Sequence, residues 1–120
     1  MVPEPPAQMG FVIIYDRNGK EAGRFLIRDG ENWAGIEDGD YTPQIDLEPF
    51  DIHHFVSRRH AVIRKSGSAY TIEHMGKTNP TAVNDTVLKT GEKSPLAAND
   101  RITFANRIRA KFVIEQFPAE

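Results

Sequence analysis

Phe11-Val12-Ile13-Ile14-Tyr15, then Asp16-Arg17-Asn18-Gly19, then Arg24-Phe25-Leu26-Ile27-Arg28 is the stretch whose reading decides the fold. Two short apolar runs flank residues that tolerate tight turns and left-handed backbone, which is the pattern of a β-hairpin. The runs are rich in β-branched and aromatic residues, and each is too short for a stable helix. Asp29-Gly30 closes the second run.

The alternation of run and turn recurs. His60-Ala61-Val62-Ile63-Arg64-Lys65 breaks at Ser66-Gly67-Ser68 and resumes as Ala69-Tyr70-Thr71-Ile72-Glu73. Arg101-Ile102-Thr103-Phe104 turns at Ala105-Asn106-Arg107 and returns as Arg109 to Glu115, with Ala110, Phe112 and Ile114 on one face. No window carries a long apolar stripe at i, i+3, i+4 and i+7, whereas several show period two. Short strands with turn signals at regular spacing predict an all-β sandwich or barrel. Glu37 to Phe55, with Asp38-Gly39-Asp40, Pro43 and Pro49, reads as loops around one short strand at Ile45-Asp46-Leu47. The expected boundaries are a flexible N-terminal tail at 1–9, one domain at 10–117 and a C-terminal tail at 118–120.

With 120 residues, 39% hydrophobic and 27% charged, the chain has the length and composition of one globular domain with its own core. It has no cysteine, so disulfides, thiolate metal sites and a cysteine nucleophile are excluded. A net charge of −2 argues against nucleic acid as a partner, since such proteins show a basic excess. The longest purely apolar run, Phe11 to Tyr15, is far short of the ~20 residues that span a bilayer, and Met1 to Gln8 is unlike a signal peptide. No membrane association is expected, and the location expected is the cytoplasm.

Two loop segments carry the chemistry. Ser57-Arg58-Arg59-His60-Ala61 and Thr78-Asn79-Pro80-Thr81-Ala82-Val83-Asn84 gather hydroxyls, amides and cations just before short apolar runs. A phosphate offers acceptors only, and charge-assisted hydrogen bonds to it are about twice as strong as neutral ones. Hydroxyl plus guanidinium on one loop and Thr-Asn on another form a donor set for a dianionic phosphate, provided the loops meet in space.

Those segments occur in order with Val83-Asn84-Asp85 and Leu96-Ala97-Ala98-Asn99-Asp100-Arg101-Ile102. Together they resemble the forkhead-associated (FHA) domain, a family of phosphothreonine-peptide readers, over about Gly10 to Phe117. The resemblance implies an FHA-type two-sheet β-sandwich of about eleven short antiparallel or mixed strands. It also implies a binding module without enzymatic activity or cofactor, whose partner is a phosphothreonine-containing protein or peptide in kinase signalling. By the same resemblance Ser57 gives its hydroxyl and backbone N–H to the phosphate, Arg58 adds a cation and Thr78 a hydroxyl. Asn79 bonds the peptide backbone. His60 ties the loops together through its ring nitrogens, and Thr81 and Asn84 support them. Strand alternation after Ser57 favours Arg58 over Arg59 as the ligand.

The chain departs from that pattern where the family has a Gly-Arg loop. Trp33-Ala34-Gly35-Ile36-Glu37 stands there, so Ile36 occupies the position of a phosphate-binding arginine. A hydrogen bond to a charged group contributes about 1.5–3 kcal/mol. Its loss predicts phosphopeptide affinity lower by roughly 10- to 100-fold. The alternative is a diverged domain that binds a protein partner, or a second copy of itself, without phosphate. Pro80 replaces a glycine and stiffens its loop; Asp85 and Asn99 replace glycines but tolerate left-handed backbone.

Other chemistries find less support. His53, His54, His60 and His74 lack the spacing of a zinc site, and no metal is expected. A Ser57/His60/Asp51 hydrolase has no nucleophile elbow or oxyanion loop, and an extended chain would set Ser57 and His60 on opposite faces. The run Arg58, Arg59, Arg64, Lys65 lacks the interleaved aromatics of a nucleic-acid surface.

Overall fold

Eleven strands and one turn of 3-10 helix make up the computed structural model, which describes residues 7–117. The strands are β1 (Ala7–Tyr15), β2 (Glu21–Ile27), β3 (Gly30–Gly35), β4 (Ile45–Asp46), β5 (Ala61–Ser66) and β6 (Ala69–His74). They continue as β7 (Thr81–Val83), β8 (Thr86–Leu88), β9 (Lys93–Leu96), β10 (Arg101–Phe104) and β11 (Ile108–Phe117). A six-stranded sheet has the order β2-β1-β11-β10-β7-β8, and a five-stranded sheet the order β4-β3-β5-β6-β9. Only β3–β4 is parallel among the described pairings.

Period-two burial holds the sheets face to face. Val12 and Ile14 of β1, Ala110 and Phe112 of β11, and Ile102 and Phe104 of β10 point inward, where they join Ala61, Ile63 and Ile72 of the other sheet. The Tyr70 and Phe112 rings lie 4.7 Å apart. Burying each large side chain of this set contributes about 1.5–3 kcal/mol. Gly10 makes room for Tyr70, whose ring would sit 2.8 Å from a Cβ there.

Three turns show why the local sequence suffices for hairpins. Asn84 and Asp85 both have positive φ (47° and 70°), as do Ala105 and Asn106 (55° and 60°). Paired left-handed residues match the right-handed strand twist. Asp85 thus does the work of the glycine it replaces. Gly19 (φ 82°) ends the β1–β2 turn, where the Asp16 carboxylate accepts from the Asn18 and Lys20 N–H groups.

One expectation needs correction. Residues 7–9, assigned to the tail, belong to β1, because the long strand β11 supplies backbone partners out to Phe117: Ala7 faces Phe117 and Met9 faces Glu115. The tail assignments at 1–6 and 118–120 lie outside the described residues. The short strand expected at Ile45-Asp46-Leu47 is present as β4, Ile45–Asp46, and the buried Leu47 leads from it into the 3-10 turn Glu48–Phe50.

Candidate functional site

Gly35 ends β3 where the Ser57-Arg58 backbone crosses it. A Cβ on Gly35 would lie 1.8 Å from the Arg58 carbonyl oxygen, so this position demands glycine for space. The Ile36 N–H donates to the Arg58 carbonyl (3.2 Å) and the His60 N–H to the Ala34 carbonyl (2.9 Å). The serine-bearing loop is thereby laid along the end of the five-stranded sheet.

The threonine–asparagine loop lies against it. The His60 carbonyl accepts from the N–H groups of Met75 and Gly76 (2.9 and 3.0 Å). Asn79 Nδ2 donates to the Phe55 carbonyl at 3.0 Å. A Cβ on Gly76 would lie 2.8 Å from Ser57 Oγ, so that glycine leaves the hydroxyl its place. The Pro80 carbonyl accepts from the Ala105 N–H (2.8 Å), which brings the β10–β11 turn alongside. Arg107 of that turn lies over the Phe55 ring, 5.1 Å from its centroid.

Asp51 braces the approach to Ser57. Its buried carboxylate accepts from the N–H groups of Phe55 (2.8 Å) and Val56 (3.1 Å). Sequence reasoning missed both this role and that of Gly76. The available signals were an aspartate heading a polar turn and a glycine two residues before Thr78.

His60 is fully buried, and its Nδ1 accepts from the Ser57 N–H at 3.0 Å. The proton of the neutral ring therefore sits on Nε2, which is buried without a hydrogen-bond partner of adequate geometry among the described residues. Burial, reinforced by the neighbouring His74, pulls the His60 pKa down to about 4, against the Pro80 carbonyl, which favours the proton. The two imidazoles meet edge to face with centroids 5.1 Å apart. His74 Nδ1 and Thr81 Oγ1, both buried, share a hydrogen bond of 2.9 Å.

These contacts correct the expected division of labour. The Ser57 N–H is taken by His60, which leaves the hydroxyl as its available donor. The bond runs from backbone to ring within a bend, so residues 57–60 are not extended, and the ring nitrogen accepts from nitrogen rather than from Oγ. His60 reaches the second loop through its carbonyl, while its Nδ1 bond stays within its own loop and the Pro80 carbonyl of the second loop acts on the ring without an aligned hydrogen bond. Asn84 sits at the other end of β7, where its side chain bonds Asp100 (2.9 Å) and the Arg101 N–H (2.9 Å). It braces the β9–β10 turn there, not the Ser57 loop.

The cations diverge. Arg58 is 71% exposed with Nε 3.9 Å from an Asp38 carboxylate oxygen. Arg59 lies over Tyr41 (4.4 Å) and Trp33 (5.7 Å), so its guanidinium covers aromatic surface. Thr78 is exposed. His53 and His54 are exposed, and no three potential metal ligands converge among the described residues.

A family profile of the FHA domain matches residues 38–105, more than half of the chain. The chain belongs to the FHA-domain family. Protein FraH of Nostoc sp. (strain PCC 7120) is 39% identical over 61 residues, which cover 51% of this chain and 21% of that protein. The chain thus matches about a fifth of that relative's length. The yeast splicing factor Pml1 superimposes with a TM-score of 0.74 at 18% identity, over 95% of this chain and 85% of that one. An FHA domain solved in an analysis of phosphothreonine-dependent FHA domain interactions superimposes with a TM-score of 0.66 at 23% identity, over 92% and 99% of the two chains.

The family match begins just past the position where this FHA domain departs from the pattern. Ile36 is half-buried and packs against the core, so its side chain is committed inward. Glu37 beside it is exposed, and Asp38 stands next to Arg58. The loop that would add a cation presents carboxylates instead.

Proposed function

We propose that this FHA domain reads phosphothreonine in a partner protein or peptide, with affinity reduced by the absence of an arginine at Ile36. The observation that carries the reading is the junction of the two loops: Ser57 against Gly76, and Asn79 bonded to the Phe55 carbonyl. Ser57 Oγ and Thr78 Oγ1 give hydroxyl donors, and Arg58 gives a cation that can exchange Asp38 for phosphate. Asn79 keeps its Oδ1 and one N–H for the backbone of the peptide.

Binding, rather than catalysis, is the task such a site suits. Its donors sit on loops carried by rigid sheets, so little ordering entropy opposes association. An open cleft of about 390 Å³ borders the site beyond Arg107, lined also by Arg17, Phe50, Ile52 and His53. Residues flanking the phosphothreonine would extend toward it. Kinase signalling in the cytoplasm is the setting this reading implies.

A second reading is favoured by Ile36, Glu37 and Asp38. A domain that turns an isoleucine inward, sets one carboxylate beside Arg58 and exposes another at Glu37 suits a phosphate-independent protein partner, or a second copy of itself, bound over the same loops.

Fluorescence anisotropy with paired phosphorylated and unphosphorylated threonine peptides separates the two. Preferential binding of the phosphorylated peptide, weakened roughly 10-fold or more by Ser57→Ala, is expected for the first. Equal binding of both peptides would discard it in favour of the second.

A further inference from the structure

We propose that the outer face of the six-stranded sheet holds a second binding site, for an acidic peptide segment, centred on Arg101, Arg109 and Lys111. This site does not use Ser57, Thr78 or Asn79, although Tyr15 and Arg109 line both its cleft and the one beside Arg107.

Strand register places the three cations together. Arg101 of β10 lies directly opposite Lys111 of β11, and Thr103 lies opposite Arg109. On the other side of β11, Tyr15 of β1 faces Arg109. Alternation turns all of these outward, since Ile102, Phe104 and Ala110 between them are buried. Directly opposed side chains on one sheet face have Cβ atoms only about 5 Å apart, and like charges so placed repel. Lys111 has no ion-pair partner among the described residues, and Arg101 is offset only by Asp85, in a contact where both side chains are largely exposed. Arg109 reaches the Arg17 carbonyl at 3.3 Å. A like-charge pair kept in mid-sheet, within a chain of net charge −2, breaks a rule of sheet pairing, with the exposed Asp85 contact as the local compensating gain for Arg101 and none for Lys111 among the described residues. An anion bridging the two strands supplies the gain that Lys111 lacks.

The shape indicates what kind of anion. An open cleft of about 380 Å³ lies over these residues, a volume in the range of small-ligand sites. Gly19 of the β1–β2 turn lines it on one side and Asp85 of the β7–β8 turn on the other. It spans β1, β11 and β10, wider than a lone phosphate needs. An open cleft running from one hairpin turn to the other, across three strands, suits an extended chain. Carboxylates spaced along a peptide would meet Arg101 with Lys111 in one row and Arg109 in the next, with the Thr103 and Tyr15 hydroxyls as further donors.

The test is an amide chemical-shift titration at low salt with a short peptide alternating Glu and Gly, its Gln counterpart, and inorganic phosphate in a third arm. Expected are shifts at 101–103 and 109–111 with the Glu peptide alone, while Ser57, Thr78 and Asn79 stay unmoved. Lys111→Gln and Arg101→Gln should each weaken binding roughly two- to fivefold, while Lys111→Arg retains it. Lys111→Gln should also raise the melting temperature of the free domain by about 1–5 °C as repulsion is relieved. Equal response to the Gln peptide or to phosphate, shifts confined to the loop end, no shifts at all, or a lowered melting temperature in Lys111→Gln would each overturn the assignment.

Discussion

The Ser57 backbone N–H donates to Nδ1 of the buried His60 ring at 3.0 Å. That bond shapes the bend presenting the serine hydroxyl, and it makes the geometry of the site depend on a neutral imidazole. Protonating Nδ1 would remove the acceptor and set two donors against each other.

Acid should therefore weaken the domain. The folded His60 ring takes up a proton only near pH 4, mainly because burial disfavours its charge, while in the unfolded chain it does so near 6.5. Between those values the unfolded state binds the extra proton, so the His60 contribution is complete above about pH 6.5 and is lost as pH falls toward 4. The shift corresponds to about 3 kcal/mol, and His74, lowered in the same direction, adds to it. Urea unfolding at pH 7, 6, 5 and 4 checks this, and His60→Gln should flatten the profile. A wild-type profile level across that range would refute the depressed pKa.

Gly35→Ala and Gly76→Ala should behave differently. At Gly35 the new methyl meets a backbone carbonyl at 1.8 Å, so the loop must be pushed off the sheet, at a cost of about 3 kcal/mol or more. At Gly76 it meets the Ser57 side chain at 2.8 Å, which can rotate, and the buried His74 ring at 3.1 Å, which must give by a few tenths of an ångström. Thermal melts should show a large loss for the first. Peptide titrations should show weakened binding with a smaller loss of melting temperature for the second.

Asn79→Ala removes the clamp on the Phe55 carbonyl as well as the proposed peptide contact. Stability should fall by about 1 kcal/mol, the net value of one hydrogen bond, and phosphopeptide affinity by roughly 10-fold. Chemical denaturation alongside anisotropy measures both. Collapse of the fold would make Asn79 a purely structural residue.

Asp38→Asn and Ile36→Arg test the electrostatics of the departure from the family pattern. The first frees Arg58 from a carboxylate 3.9 Å away and should tighten phosphopeptide binding severalfold without loss of stability. The second supplies a cation and should tighten binding roughly 10-fold. Because Ile36 packs on the core, it should also lower the melting temperature. Calorimetric titration of both variants against one peptide decides, and unchanged affinity in both would favour the phosphate-independent reading.

What the amino-acid order determined alone is local. Phe11–Tyr15 with Asp16–Gly19, and Phe104 with Ala105–Arg107, specify strands and hairpins because their signals act within a few residues. The motif order around Ser57 and Thr78 marks the candidate site for the same reason. Residues 81–96 were harder to read, since β7 and β8 have three residues each and β9 four, too short for alternation to register. Tertiary structure alone decided the rest. Joining the Ser57 and Asn79 loops requires the long-range pairing of β3, β5 and β6, and the approach of two sheets that share no strand ladder. The engagement of the Ser57 N–H by His60, the inward turn of Ile36, and the alignment of Arg101 with Lys111 all follow from contacts between segments far apart in the chain. Such contacts are set by packing and register, which no local pattern encodes.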